Sequence, residues 1–493
     1  MRLHFNAKYP FCFLAAALAF LAQANAWAAT PALQLAPCQL ENMTGSASSR
    51  CGWLSVPENR DAGTSKEIRL RVTLIPALRT NAERDPLVIL AGGPGQGAHD
   101  AYAIAGAAFA AVRRDRDIVL LDQRGTGQSN RLDCEFTDDI ELESNDPQQL
   151  QAQARHCLSA LHGDPRFYTT SVAVRDLEAL RVALGYEKLN FYAVSYGTRV
   201  AQHYLRRYPS RVRTAVLDGV VPIDLALGPD IAPRAQQALD AIFDRCIAEF
   251  ACNKAFPDIR GQFNALRERL AREPVKTELL DPVDAKPLRE TLGPAQLSAA
   301  VRLLTYSDET ASLLPLLIHQ AQAERRPQSL LAQYLMIERN TGLQLAYGMH
   351  FAVVCSEDAP RWPHEQVSDA ALTATYLGGT FMSGLQAVCD VWPRGVVDEG
   401  FSAPLHSEVP VLILSGGNDP VTPQQYGERA LASFKNGRHL VLTGQGHGQI
   451  ATGCMPRLVA QFVRSANAAS LDTACLKGVA PTPFMLSTSG TEP

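Results

Sequence analysis

The sequence predicts an α/β fold built on a mostly parallel sheet, and three observations carry that expectation. Short apolar runs bounded by turn residues recur along the chain, and the middle ones are continuous rather than alternating, as strands buried on both faces require. Segments with apolar residues at three- and four-residue steps lie between them. The strand pattern lapses between about residue 225 and residue 400 and then returns. Strands that alternate with helices imply crossover connections and hence parallel pairing.

The expected strands are 68–75 (IRLRVTLI), 87–90 (LVIL), 117–121 (DIVLL), 189–194 (LNFYAV), 214–220 (TAVLDGV), 409–416 (VPVLILSG) and 438–443 (RHLVLT). Residues 171–185 (SVAVRDLEALRVALG) predict a helix with Ser171 as its N-cap and Gly185 as its stop, and 196–209 predict a second helix ended before Pro209. The interval 226–400 is mostly helical in pattern, as in PRAQQALDAIFDRCIAEF and DIRGQFNALRERLAREP. It is too long for a loop in a compact domain, so it is expected to form a domain of its own. The remaining α/β core then comprises 29–225 and 401–493.

The chain has 493 residues, 46% of them hydrophobic, with 46 Lys and Arg against 50 Asp and Glu, a net charge of −4. Nothing in that balance favours a nucleic-acid partner. Residues 1–28 resemble a signal peptide: Arg2 and Lys8 precede an apolar stretch, and Ala24-Asn25-Ala26 and Ala26-Trp27-Ala28 offer small-residue cleavage sites. The apolar stretch is short of the roughly 20 residues a membrane span needs, so the mature chain is expected to be exported, without a span. Ten cysteines follow Cys12. An even number scattered along an exported chain suggests up to five disulfides. Their order suggests neighbour pairing, 38–51, 134–157, 246–252, 355–389 and 454–475, although connectivity does not follow from sequence. No C-x-x-C or His-rich cluster points to a metal, and no cofactor is expected.

Open α/β sheets bind ligands beyond the carboxyl ends of their strands, and four loops at such positions carry chemistry. In LNFYAVSYGTRVAQHYL, Ser195 lies between a strand and a helix, where a tight turn exposes the hydroxyl and aims the helix N-terminus at it. Small residues are needed two positions either side, and Ala193 and Gly197 supply them. Asp419 follows a strand in LILSGGNDPVTP, and His447, flanked by Gly446 and Gly448, follows the next in LVLTGQGHGQI. A serine hydroxyl is a weak nucleophile, which needs an imidazole to take its proton and a carboxylate to hold that imidazole in the right tautomer. In VILAGGPGQG the loop offers the N–H of Gly93, which with the N–H of Tyr196 would bind an oxyanion. Asp218 also follows a strand and is the alternative carboxylate, with a structural or capping role favoured for it. His439 is expected to make a side-chain contact within a strand, and His99, His203, His350 and His406 to be surface or packing residues. Residues 92–97 could form a phosphate loop, but no G-K-[ST] or G-x-G-x-x-G pattern completes it.

The order Ser195, Asp419, His447 is that of α/β-hydrolases. With GGPGQG (92–97), LDQRGTGQS (121–129), VSYGT (194–198), GGNDPVTP (416–423), GQGHG (444–448) and WLSVPENRD (53–61), the chain resembles the prolyl-aminopeptidase and tripeptidyl-aminopeptidase family of exported serine peptidases. The resemblance implies an α/β-hydrolase fold with an inserted helical cap domain that roofs the site, where carboxylates hold the free α-amine of a peptide. Glu357 and Asp358, in HFAVVCSEDAPRW (350–362), match the family's cysteine-plus-acid segment and are the implied amine-recognition residues; the alternative is a solvated acidic pair beside a disulfide. The chain departs from the family at Ala91, where His is frequent, and at Ala193, which replaces the first Gly of the serine turn. The substrate expected is a peptide or small acyl compound, and the oligomeric state is open. The rival readings are an esterase on the same scaffold and a catalytically silent secreted binding protein.

Overall fold

The computed structural model describes residues 33–42, 45–134, 146–340, 345–363 and 370–490; the expected signal segment lies outside them. Eleven strands are found among the described residues. They are β1 (Leu35–Asn42), β2 (Gly45–Pro57), β3 (Glu67–Ile75), β4 (Glu83–Leu90), β5 (Arg116–Leu121), β6 (Leu189–Val194), β7 (Val212–Asp218), β8 (Val275–Leu280), β9 (Pro287–Leu292), β10 (Val411–Gly416) and β11 (Gly437–Leu442). Nine of them form one sheet in the order β1-β2-β3-β5-β4-β6-β7-β10-β11. The first three pairings along that order are antiparallel and all the others parallel.

The continuous apolar runs form the middle of this sheet. Alternate residues of β6 serve opposite faces: Phe191 and Ala193 join one core with Val200 and Tyr204 of the helix Tyr196–Arg207, while Tyr192 joins the other with Phe462 of the helix Met455–Ser465. β10 is buried along its whole length. Helices therefore cover both faces, which is the arrangement a parallel sheet needs.

Between β7 and β10 the chain is largely helical, and its apolar residues form a separate cluster that includes Leu239, Phe243, Phe263, Leu297 and Leu317. Three features join that cluster to the sheet. Cys134 and Cys157, ahead of β6, are buried in it. In the helix Tyr347–Val353, Met349 and Ala352 pack into a core of the sheet, while Phe351 packs into the helical cluster. The C-terminal tail also returns to it: Thr482 donates from both N and Oγ1 to Asp308, and Arg245 lies 3.7 Å from the centre of the Phe484 ring.

Five disulfides are present, Cys38–Cys51, Cys134–Cys157, Cys246–Cys252, Cys355–Cys389 and Cys454–Cys475. No helix among the described residues is long and apolar enough to cross a membrane.

Two local expectations differ. The hairpin β8–β9 lies in the interval whose pattern is helical. The helix predicted from Ser171 runs Thr170–Leu184, with Thr169 at its N-cap position and Gly185 in the left-handed conformation at its end. Ser171 does not cap it; its hydroxyl instead accepts the N–H of Asp398. The Thr170 N–H goes to the Glu357 carboxylate at 2.6 Å, so an acid distant in sequence satisfies the helix terminus and complements its dipole.

Candidate active site

Ser195 occupies the junction of β6 and the following helix with φ 55° and ψ −125°, a conformation that L-residues avoid unless the surroundings enforce it. The surroundings here are specific. The Ser195 N–H donates to the Asp218 carbonyl at 2.9 Å, and its own carbonyl accepts the N–H and hydroxyl of Thr198. A Cβ at Gly197 would lie 2.6 Å from the Ala91 carbonyl oxygen and would overlap that of Leu90, so glycine is required there for the helix to pass β4. Ala193 is fully buried in the sheet core, which calls for a small side chain.

The N–H of Tyr196 is the first of its helix and has no partner within it. In the loop after β4, the Gly92 N–H donates to Gln96 Oε1 at 3.3 Å, and Gly93 adopts φ 103°. A cavity of about 20 Å³, lined by Ala91, Gln96, Gln123, Thr126 and Tyr196 among others, lies behind this loop and has room for about one water. The segment 345–350 rests against the loop: the Ala346 N–H donates to the Gly95 carbonyl at 3.0 Å, and His350 Nδ1–H donates to that of Pro94 at 3.2 Å. His350, expected as a surface or packing residue, thus touches the glycine loop. Burial holds its pKa below the ordinary imidazole value.

Asp419 and His447 meet. The imidazole Nδ1–H donates to Asp419 Oδ2 at 2.7 Å. The Thr422 hydroxyl donates to the same oxygen at 2.8 Å and lies 3.1 Å from His447 Nδ1, while the N–H groups of Val421 and Thr422 donate to Asp419 Oδ1, each at 2.8 Å. Burial pushes the Asp419 pKa up, but the facing imidazole and these donors outweigh it and keep the carboxyl below its ordinary value. Burial likewise disfavours the imidazolium, yet Asp419 and then Asp218 outweigh it, so the His447 pKa is raised. Thr422 was not singled out from the sequence; its place three residues after an Asp, at the start of a loop, is the signal for such a side-chain turn.

Asp218 is a loop anchor. Its carboxylate accepts the N–H groups of Gln449 and Ile450 and the Tyr192 hydroxyl, which fixes the turn that follows His447. Its neighbour Gly219 faces the imidazole, where an added Cβ would stand 2.9 Å from His447 Cε1. Ser195 and His447 are therefore both held from the end of β7, one through the Asp218 carbonyl and the other through its side chain.

Glu357 and Asp358 are not solvated; they are 2% and 0% exposed. Arg199, itself fully buried, donates to both oxygens of Asp358 at 3.0 and 2.9 Å and reaches Glu357 at 3.4 Å. Asp358 also accepts the N–H of Leu227 and a bond from Arg361. Glu357 accepts the N–H and hydroxyl of Thr170, whose hydroxyl is 2.7 Å from that of Tyr196. The solvated pair is thus corrected to a buried network, because Arg199 points into the core from the helix that begins after Ser195.

Burial is the main reason that the Glu357 pKa is pushed up to about 7 from an ordinary 4.5. Between those values the folded chain holds a proton that the unfolded chain releases, so this group's contribution to stability is complete below about pH 4.5 and is lost as pH rises through 7. The loss is at most about 3 kcal/mol, at 1.36 kcal/mol per pKa unit. Urea unfolding at pH 5 and pH 8 is expected to show a smaller difference for Glu357→Gln than for the wild type. An unchanged difference would remove Glu357 from the account.

The remaining motif, LDQRGTGQS, serves the framework. Asp122 accepts from His99 at 2.7 Å, Arg124 is buried against Asp176, and Ser129 Oγ accepts the Arg71 N–H. His439 contacts Ser415 from within β11, and His203 stacks on Phe401. Among the described residues no cluster of His, Cys, Asp or Glu could hold a metal ion.

The chain belongs to the alpha/beta hydrolase fold family, whose sequence model matches residues 85–453. It is a serine hydrolase. The serine protease Hip1 of Mycobacterium tuberculosis (strain ATCC 25618 / H37Rv) is 25% identical over 464 residues, 84% of each chain. The tripeptidyl aminopeptidase of Streptomyces lividans is 24% identical over 479 residues, 88% of this chain and 85% of that one. Carboxylesterase B of Mycobacterium tuberculosis (strain CDC 1551 / Oshkosh) is 28% identical over 254 residues, 46% of this chain and 48% of its own.

Proposed function

We propose that the chain is a serine aminopeptidase that cleaves one to three residues from peptide N-termini. In this reading Ser195 attacks the scissile carbonyl, His447 takes its proton and returns it to the leaving amine, and Asp419 holds Nδ1–H so that Nε2 is free to act as the base. The N–H groups of Gly93 and Tyr196 stabilise the tetrahedral oxyanion. The observation that carries the chemistry is the 2.7 Å contact of His447 Nδ1 with Asp419, with Ser195 in a strained strand-to-helix turn held by the same Asp218 that anchors the loop after His447. The whole-length relatives named as peptidases support the choice of a peptide over an ester.

The helical interval between β7 and β10 acts in this reading as a cap over the site. Asp358 is fully occupied by Arg199, so the amine-recognition role narrows to Glu357, and an amine could reach it only if its bonds to Thr170 are released. The pair's readier role is to brace the cap segment against the helix behind Ser195.

The esterase reading keeps one supporting observation, the partial likeness to carboxylesterase B. One pair of chromogenic peptides separates the two, the first with a free N-terminus and the second acetylated. Turnover of the free peptide alone is expected. Equal turnover of both, or turnover of nitrophenyl esters only, would overturn the aminopeptidase reading.

Five disulfides support an oxidising compartment, so we infer that the enzyme acts after export. An unprocessed N-terminus on the mature protein would count against this.

A further inference from the structure

One positive charge near His447 has no counter-ion among the described residues. The helix Pro294–Leu304 ends just before Tyr306, whose carbonyl accepts the His447 N–H at 2.6 Å and whose ring meets the imidazole edge to face, with centroids 5.6 Å apart. A Cβ at Gly446 would overlap the Tyr306 carbonyl oxygen, so this contact is built into the loop. Arg302, one turn back, is therefore fixed relative to the imidazole. Its guanidinium lies over the Tyr306 ring at 5.9 Å and the Phe381 ring at 5.4 Å, contacts that orient a cation without neutralising it.

Arg302 Nη1 is buried with no hydrogen-bond partner, and the residue forms no ion pair among the described residues. The two guanidiniums that are fully buried among those residues behave differently: Arg124 is paired with Asp176 and Arg199 with Asp358. The charge of Arg302 acts on both His447 and His350, disfavouring protonation of each. His350 touches the glycine loop and His447 the carboxylate Asp419. One nitrogen of this half-buried guanidinium is thus withdrawn from water without a partner, and a planar fork of donors is shaped for a carboxylate.

We propose that Arg302 is a subsite for a carboxylate carried by the substrate. The inference rests on the hydrolytic reading of Ser195 and His447 and adds a specificity to it. The enzyme favours short peptides whose α-carboxylate, or whose Asp or Glu side chain next to the scissile bond, pairs with the guanidinium while Ser195 attacks. That pairing also offsets the charge that opposes imidazolium formation at His447. The pairing thus selects a carboxylate-bearing substrate and removes, for that substrate, the opposition to imidazolium formation.

The test is a two-by-two set of peptides of one sequence, ending in free acid or amide and carrying Asp or Asn after the scissile bond. The wild type is expected to favour at least one anionic arm by about tenfold or more in kcat/KM, and the arm affected identifies the carboxylate. Arg302→Gln levels that preference, while Arg302→Lys keeps part of it. For the neutral peptide, the acid limb of kcat/KM moves to higher pH in Arg302→Gln, because a cation that opposed His447 protonation is gone; loss of packing alone would not move it. A wild type without preference in either arm, or an equal loss on all four peptides, overturns the proposal. Should no peptide turn over while Ser195 still labels with a fluorophosphonate, the peptidase reading fails separately. The same levelling is then expected between nitrophenyl hemisuccinate and nitrophenyl butyrate, and its absence there overturns the subsite.

Discussion

Ser195→Ala is expected to lower kcat by about 10⁶-fold and to abolish labelling by a fluorophosphonate, while the protein remains folded. Several local interactions converge on the serine, and few of them depend on its side chain. Its N–H is held by the Asp218 carbonyl, its carbonyl by Thr198, and the turn is packed against β4 at Gly197. Alanine keeps all of these, although it must adopt the same positive φ, so a modest loss of thermal stability is the most that should accompany the lost chemistry. The residual rate measures what the oxyanion donors and substrate binding achieve alone. His447→Ala is expected to fall to a similar level, because residues that act as one unit do not contribute additively. Substantial turnover in a folded Ser195→Ala protein would mean that the nucleophile lies elsewhere.

Asp419→Asn is the second large effect, about 10⁴-fold in kcat, and the geometry explains it without invoking unfolding. The N–H groups of Val421 and Thr422 both point at Oδ1, so in the variant the amide oxygen must stay at that position to accept them. The amide NH₂ group then takes the place of Oδ2 and faces His447 Nδ1 as a donor. The imidazole has to answer as an acceptor at Nδ1, which moves its proton to Nε2, the atom that should receive the serine proton. The Thr422 hydroxyl can rotate to accept from the amide, so the local fold survives. A loss below about tenfold would show that Asp419 does not orient the base. Asp218 is a poor replacement, since its oxygens are taken by Gln449, Ile450 and Tyr192.

Much of this was legible in the chain. β6 occupies the predicted interval, because a strand buried on both faces has to be a continuous apolar run with turn residues at its ends. The strands flanking the sheet at β1 and β2 were harder: they are partly exposed, and their residues lack a continuous apolar run. The β8–β9 hairpin is short and largely exposed, so its residues carry no strong pattern of burial. Ser171 had the chemistry of an N-cap, but a carboxylate from Glu357 was available to the first turn, and tertiary contact overrode the local preference.

The sequence by itself determined which loops carry Ser195, Asp419, His447 and Gly93, because each lies where a strand ends, a junction defined by a few adjacent residues. Only the tertiary structure decided that Glu357 and Asp358 are buried against Arg199, that Thr422 joins Asp419, and that Tyr306, with Arg302 over its ring, packs against His447. The physical reason is that a charge is paired or left unpaired by the segments that fold against it. Arg302 and Arg199 are the same residue type in similar helical surroundings, and nothing in either stretch of sequence says which of them will meet a carboxylate.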